Sequence, residues 1–169
     1  QGRLPAAESL YHRVLPLDER LRSADDPARF RRISGLANVY LAQGRLAEAE
    51  SVFRRVLESQ ERVLGADHYD VGSTLNNLGA TYYRMGRFND ALHSYERARP
   101  ALEKSLGPAH PTVFGLYNNI GEVYWKLKQY DKAEPLLREA LASKEKYLAT
   151  GNASIATTLH ALAGLLRDE

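Results

Sequence analysis

TLNNLGATYY (residues 74–83) and LYNNIGEVYW (residues 116–125) lie 42 positions apart and share their pattern of apolar, asparagine and glycine residues. Apolar residues three and four positions apart predict one face of an amphipathic helix in each stretch. Asparagine is a poor helix former, costing roughly half a kcal/mol or more against alanine. The paired asparagines inside both predicted helices therefore need an explanation outside local helix propensity.

The similarity continues on both sides of these stretches at the same shift. Gly65 matches Gly107, His68 matches His110, and the match runs on to Leu106 and Leu148. The sequence QGRL occurs at residues 1–4 and again at residues 43–46. Gap-free self-similarity of this kind predicts a repeat array. The predicted division is 1–22, 23–64, 65–106, 107–148 and 149–169.

Each complete unit is predicted to contain two helices. In the unit 65–106, the first helix ends at Gly86, which suits a left-handed C-terminal turn. The second helix is expected to begin at Asn89, or at Asp131 in the next unit, because both residue types are good N-caps. Pro100 predicts a kink or an early end in that second helix. Residues 1–22 are then the second helix of a partial unit, and residues 149–169 are the first helix of another.

The positions that carry the helical stripes resemble the tetratricopeptide repeat (TPR). In the unit 65–106 they are Leu75, Leu78, Gly79, Tyr82, Ala91, Tyr95 and Ala98. The 42-residue period, the LNNLG sequence and the LGPAHP sequence at residues 106–111 are similar to the kinesin-light-chain-like subclass. The resemblance covers the whole chain. It departs from the pattern at Lys128, which replaces the turn glycine, and at residues 34–35 and 160–161, which replace the asparagine pair.

The resemblance implies an all-α fold, a right-handed superhelical TPR solenoid of antiparallel helix pairs. First helices would line a concave groove and second helices would form the convex back. At 100° per residue, the asparagine pairs lie away from the apolar stripe and therefore toward the groove. The candidate groove residues are Arg31, Asn38, Asn76, Asn77, Tyr83, Arg84, Asn118, Asn119, Glu122, Trp125, Lys126 and His160.

These residues suggest two roles for the groove. Each asparagine amide offers an acceptor and two donors, and in the family such amides hold the backbone of extended peptides. The alternative is that the amides bond one another or the next helix and only fix the stacking of units. Tyr83 and Trp125 are likewise candidate peptide anchors or packing residues. The groove lacks the two-lysine clamp that some TPR proteins use for a C-terminal carboxylate.

Composition excludes several other classes of function. The 23 basic and 21 acidic residues nearly balance without a block of like charge, so no nucleic-acid partner is expected. The chain has no cysteine, and no apolar run is long enough to span a bilayer. His68 and His110 are expected to cap or brace unit junctions, and no metal, cofactor or catalytic motif is predicted. The compartment stays open, with a soluble, cytoplasmic protein favoured.

The sequence therefore predicts a non-catalytic protein–protein interaction scaffold whose concave groove binds an extended peptide segment of a partner protein. The alternative is a structural or regulatory spacer that packs against another domain of its own polypeptide or self-associates through its exposed terminal helices. That alternative depends on the expected loss of cover over Leu159, Leu162 and Leu166.

Overall fold

A computed structural model describes residues 2–21, 23–149 and 151–169, and within these ranges it contains eight α-helices and no β-strand. The predicted unit boundaries at residues 1 and 22 lie outside the described residues. The helices are α1 (Arg3–Leu21), α2 (Pro27–Gln43), α3 (Leu46–Leu64), α4 (Tyr69–Arg84), α5 (Phe88–Leu106), α6 (Pro111–Lys126), α7 (Tyr130–Tyr147) and α8 (Ala153–Asp168).

Consecutive helices pack against each other, and the most extensive contacts join α4 to α5 and α6 to α7. Their contact positions are apolar or small, as the stripes predict. Gly79 of α4 lies so close to α5 that an added Cβ would stand 2.6 Å from the Tyr95 ring. The core that runs through these pairs is buried, so each unit depends on its neighbours for cover. The predicted all-α solenoid of antiparallel helix pairs is confirmed.

First helices also lie beside one another. The backbone of α4 contacts those of α2 and α6, and α6 contacts α8, whereas in the described residues no second helix approaches the next second helix as closely. Because the spacing between units is shorter on the side of the first helices, the array curves toward them. The inner, concave layer is therefore formed by α2, α4, α6 and α8.

The turns follow the glycine pattern, with one substitution. Gly44 and Gly86 have φ values of +80° and +75°, and Lys128 adopts φ +58° at the equivalent position. Each turn is closed by a bond from the next backbone N–H to a carbonyl five residues earlier, as from Arg87 to Tyr82 (2.9 Å). Lysine at a left-handed position is strained, but this turn keeps its bonds.

Two predictions about helix ends are wrong. The residues that precede the second helices are Arg87 and Gln129, and Asn89 and Asp131 lie inside the first turns. The chain enters these helices directly from the glycine turn, which sets the start without a side-chain cap. Pro100 does not end α5, which continues to Leu106. Pro100 is exposed, so water can bond the carbonyl that lacks its usual N–H partner.

The histidines at the unit junctions are N-caps, as predicted. His68 Nδ1 accepts a hydrogen bond from the Asp70 backbone N–H (3.0 Å), and His110 Nδ1 accepts one from the Thr112 N–H (3.2 Å). An accepting Nδ1 carries no proton, so each ring satisfies a backbone donor that the first turn leaves without a partner.

Candidate functional site: the inner face of the first helices

Several predicted groove residues have side chains without a hydrogen bond to the rest of the described chain; besides Asn76 and Lys126, treated below, they are Asn38, Asn77, Asn119 and His160. Asn77 and Asn119 are half-buried and occupy equivalent places on α4 and α6. Asn38 and His160 are exposed on α2 and α8. These side chains keep their full hydrogen-bonding capacity for a ligand.

Asn118, the other member of its pair, is used inside the protein. It is 4% exposed, and its Nδ2 donates to Glu122 Oε1 at 2.6 Å. Its Oδ1 accepts a hydrogen bond of 2.8 Å from Thr158 Oγ1 on α8. The amide therefore joins α6 to α8, which is the stacking role rather than a peptide-holding one.

A buried lysine extends this network into the core. Lys144 of α7 is 4% exposed, and its Nζ donates to Thr158 Oγ1 (2.6 Å) and to the Ser154 carbonyl (3.2 Å). Burial lowers the pKa of Lys144, and the negative charge of Glu122 partly opposes that shift. The sequence prediction missed this lysine. The available signal was its register, because Leu102 occupies the same place one unit earlier and is fully buried.

Asn76 lacks the hydrogen bond that Asn118 accepts, because the residue that faces it on the next first helix is different. Its Oδ1 is buried without a hydrogen-bond partner. Leu116 stands 42 positions before Thr158 and so occupies the place from which the threonine hydroxyl reaches Asn118. A leucine cannot donate, so the Asn76 carbonyl oxygen stays unsatisfied.

Tyr83 lies at the edge of the inner face, between α4 and α5. Its ring packs edge-on against Phe88, with centroids 5.6 Å apart. Burial raises the pKa of the Tyr83 hydroxyl, and the nearby Glu122 carboxylate raises it further. Glu122 thus faces both Tyr83 and Asn118, which makes it a central acceptor on the inner face.

Trp125, in the place equivalent to Tyr83, packs between α6 and α8. Its Nε1 donates to Asp168 Oδ2 at 3.1 Å, and a Cβ added to Gly164 would stand 2.4 Å from its Cη2. Lys126 Nζ lies 4.6 Å from the ring centroid, a cation–π contact. Hydrogen bonds from Arg167 and Trp125 lower the pKa of Asp168.

The two predicted groove arginines also reach neighbouring helices. Arg31 Nη1 of α2 lies 3.2 Å from Asp70 Oδ2 at the start of α4. The Arg84 guanidinium donates to the Leu41 carbonyl near the end of α2. Both contacts link the first helices of successive units, so the predicted groove set divides into linking side chains and open side chains.

The described residues contain no group of three or more His, Asp or Glu side chains placed to hold a metal ion. None of the helices in those residues combines the length and apolarity that a membrane span requires.

Comparisons with known proteins agree with this architecture. A sequence profile of the tetratricopeptide repeat matches residues 30–104 and 112–169. None of the curated protein sequences matches the chain.

Several solved structures share the fold. The chain superposes on a protein of Podosopora anserina assigned to the kinesin light chains, with nearly identical TPR-like repeats. The TM-score is 0.81 and the identity 23%, over 98% of this chain and 79% of that one. It matches BtubC (BKLC) from P. vanneervenii with a TM-score of 0.86 and 26% identity, over 98% of this chain and 66% of that one. A Rap protein complexed with Competence and Sporulation Factor gives a TM-score of 0.73 and 16% identity, over 98% of this chain and 50% of that one.

The profile match covers most of the chain, and the solved structures share both the helix pairs and the TPR-like repeats. The chain therefore belongs to the tetratricopeptide-repeat family, and its fold is similar to that of solved kinesin-light-chain TPR-like repeats.

Proposed function

We propose that this chain is a non-catalytic protein–protein interaction scaffold whose inner face binds an extended peptide segment of a partner protein. The single observation that supports it best is the pair of equivalent, half-buried amides at Asn77 and Asn119, which have no hydrogen-bond partner in the described chain. Half-buried amides without partners have lost part of their hydration. A peptide backbone that forms hydrogen bonds with them replaces it and gains binding free energy.

The spacing of these amides suits an extended ligand. They lie on adjacent first helices, whose axes are about 8–10 Å apart in packed pairs. An extended peptide advances about 3.3 Å per residue, so about three of its residues span that separation. One peptide could therefore engage both amides, with Asn38 and His160 as outer contacts. The complex of the Rap neighbour with Competence and Sporulation Factor supports a binding role for this fold.

The other predicted groove residues then have distinct parts. Asn118, Arg31 and Arg84 set the spacing between first helices and so preorganise the face. Glu122, Lys126 and the partly exposed rings of Tyr83 and Trp125 form the walls beside the two open amides. Mixed charge on these walls favours a polar peptide over a strongly acidic or basic one.

The experiment begins with a random peptide library selected on the immobilised chain. Affinities of the selected peptides are then measured for the wild type, for Asn77→Ala/Asn119→Ala, and for Asn89→Ala. Asn89 is an exposed asparagine of α5, on the opposite layer, and serves as the matched control. The double variant is expected to bind about tenfold or more weakly, since two hydrogen bonds of about 1 kcal/mol each are lost. Equal affinity for all three proteins would refute the peptide-holding role.

A second function is favoured by a different surface. Leu10 and Leu17 of α1 and Leu159 and Leu166 of α8 are large apolar side chains that are about half exposed or more. Exposed apolar side chains of this kind suit a structural role in which they pack against another domain of the same polypeptide or against another protein.

A further inference from the structure

Glu122 of α6 is a half-buried carboxylate on the inner face that forms no ion pair with any described residue. Its hydrogen-bonding neighbours are neutral. Asn118 Nδ2 donates to its Oε1 at 2.6 Å, and the Tyr83 hydroxyl lies near it. A carboxylate that has lost part of its hydration costs free energy unless a cation or enough hydrogen bonds compensate it. Glu122 therefore presents a negative charge to which a ligand can supply the cation.

Two basic residues of the inner face are held by other partners and leave Glu122 unpaired. Lys126 is one helical turn further along α6, a spacing that often gives ion pairs. Its Nζ instead lies 4.6 Å from the centroid of the Trp125 ring. The Arg84 guanidinium of α4 donates to the Leu41 carbonyl on α2. Neither cation therefore neutralises the carboxylate.

Lys144 carries a third positive charge, but two neutral groups separate it from Glu122. Its Nζ donates to Thr158 Oγ1 at 2.6 Å, and Thr158 Oγ1 donates to Asn118 Oδ1 at 2.8 Å. The amide of Asn118 then donates to Glu122. Hydrogen bonds aligned in one direction strengthen one another where water is excluded. The chain therefore orients the Glu122 carboxylate on the inner face without placing a cation against it.

This negative charge occurs at one place along the inner face. At 42-residue steps, the positions equivalent to Glu122 are Asn38, Ala80 and Gly164. Glu122 also lies three residues after the open amide of Asn119, on the same helix. A ligand that contacts that amide therefore passes a single carboxylate within one helical turn.

We propose that Glu122 binds a lysine or arginine side chain of the peptide, so that the inner face is specific for an extended peptide with one basic residue. The proposal rests on the peptide binding proposed above and names the class of peptide. The ammonium or guanidinium group donates charge-assisted hydrogen bonds to the carboxylate. The apolar stem of the basic side chain packs on the neighbouring Tyr83 ring while its charged end reaches Glu122.

The first experiment compares which peptides bind three immobilised proteins: the wild type, Glu122→Gln and Glu139→Gln. Glutamine keeps an oxygen that accepts the Asn118 hydrogen bond, and circular dichroism checks that the helices are retained. Glu139 is an exposed glutamate of α7, on the opposite layer, so its variant is a control with the same change of charge. The library consists of synthetic random peptides with acetylated N-termini, so side chains supply the only cations.

Lysine or arginine is expected to be enriched at one position of the peptides that bind the wild type and Glu139→Gln. Glu122→Gln is expected to lose this enrichment, because glutamine carries no charge. The same preference for a basic residue in the wild type and in Glu122→Gln would overturn the proposal, as would a wild type that shows none.

The second experiment tests whether the contact is direct. Isothermal titration calorimetry measures one selected peptide and its derivative with uncharged norleucine in place of the basic residue. Norleucine is expected to weaken binding to the wild type about five- to tenfold, because a charge-assisted bond at a half-buried site exceeds an exposed ion pair. Glu122→Gln should bind the two peptides equally. An equal loss from norleucine in both proteins would mean that the basic residue binds elsewhere, which contradicts the proposal.

The results also separate this proposal from peptide binding itself. Peptides that lose affinity for Asn77→Ala/Asn119→Ala but show no basic preference would refute the role of Glu122 alone. Peptides that need Glu122 but bind the double variant as well as the wild type would support the Glu122 site and refute the role of the amides. A library that yields no binding peptide would refute both.

Discussion

At the scale of single residues, Gly115 and Gly164 both belong to the inner layer of helices but have different surroundings. A Cβ added at Gly115 would meet no atom within 4 Å, whereas one added at Gly164 would stand 2.4 Å from the Trp125 ring. The first glycine is therefore not required by packing, and the second is.

We expect Gly115→Ala to raise the free energy of unfolding by about 0.5–1 kcal/mol, because alanine restricts the unfolded chain and favours helix. Gly164→Ala should lower it by about 1–3 kcal/mol, since the ring must move out of a filled space. Urea denaturation of both variants measures the difference. Similar stability for the two would show that Trp125 is not held against α8.

Asn76 and Asn118, which occupy equivalent positions in successive units, also differ in their surroundings. Asn76→Ala should raise the free energy of unfolding by about 1 kcal/mol, because it removes a buried oxygen that has no partner. Asn118→Ala should lower it by about 1–3 kcal/mol, because it leaves Glu122 and Thr158 without their shared amide. Thermal and urea unfolding measure both effects. A loss of stability in Asn76→Ala would mean that its amide is bonded in solution.

The sequence alone predicts that the asparagines lie opposite the core stripe, since single-helix geometry is enough for that. It could not separate Asn77 and Asn119 from Asn118, because the difference depends on how closely successive first helices approach. It also could not foresee the Trp125 contacts, which depend on a glycine and an aspartate in the following unit.

At the scale of helices, two junctions differ in polarity at equivalent positions. The junction between α5 and α6 is apolar there, and the junction between α7 and α8 is polar. Leu102 and Leu116 are buried at the first junction, and Lys144 and Thr158 replace them at the second. A buried lysine with only neutral hydrogen-bond partners loses much of its hydration energy, so this junction is the less stable of the two.

Replacing both residues by their counterparts, Lys144→Leu/Thr158→Leu, should raise the free energy of unfolding by about 1–4 kcal/mol. Thr158→Leu alone should lower it by about 1–3 kcal/mol, because the ammonium group then loses a hydrogen-bond acceptor. Chemical denaturation of the two variants tests the ranking. A double variant weaker than the wild type would show that the polar network stabilises the junction.

The same pair gives a pH dependence. The pKa of Lys144 is lowered in the folded state, so the folded form resists protonation more than the unfolded form. The wild type should therefore gain stability relative to Lys144→Leu/Thr158→Leu as pH rises from the folded-state pKa toward about 10.5, the unfolded value. Paired denaturation curves from neutral to alkaline pH measure this, and a constant gap would contradict a shifted lysine.

Helix ends were predictable where backbone conformation decides them and not where side-chain preference was the guide. Gly44 and Gly86 end their helices as expected because the left-handed turn needs φ > 0. Asn89 and Asp131 are not caps, because the turn bond from Arg87 or Gln129 already sets the first residue of the helix. Propensity for a cap does not by itself fix where the turn finishes.

At the scale of the whole molecule, each unit contacts only its neighbours, so stability is expected to vary along the array. In hydrogen exchange of the dilute, unliganded chain, the amides of α4, α5 and α6 should exchange most slowly. Those of α1 and α8, which are each covered on one side, should exchange fastest. Uniform protection of all helices would indicate a single cooperative unit instead.

The repeat period made the architecture predictable, because one unit with two amphipathic helices can bury its stripes only by stacking. The groove's division into linking and open side chains was not predictable. It follows from different residues at equivalent positions of successive units, such as Leu116 and Thr158.

The central claim is that Asn77 and Asn119, on the inner face, hold the backbone of an extended peptide. Nuclear magnetic resonance of the asparagine side-chain amides tests it most directly, by titrating a selected peptide into labelled protein. We expect the Nδ2 signals of Asn77 and Asn119 to move with bound fraction, while those of Asn89 on the opposite layer stay in place. Saturating peptide that leaves the Asn77 and Asn119 signals unmoved would contradict it.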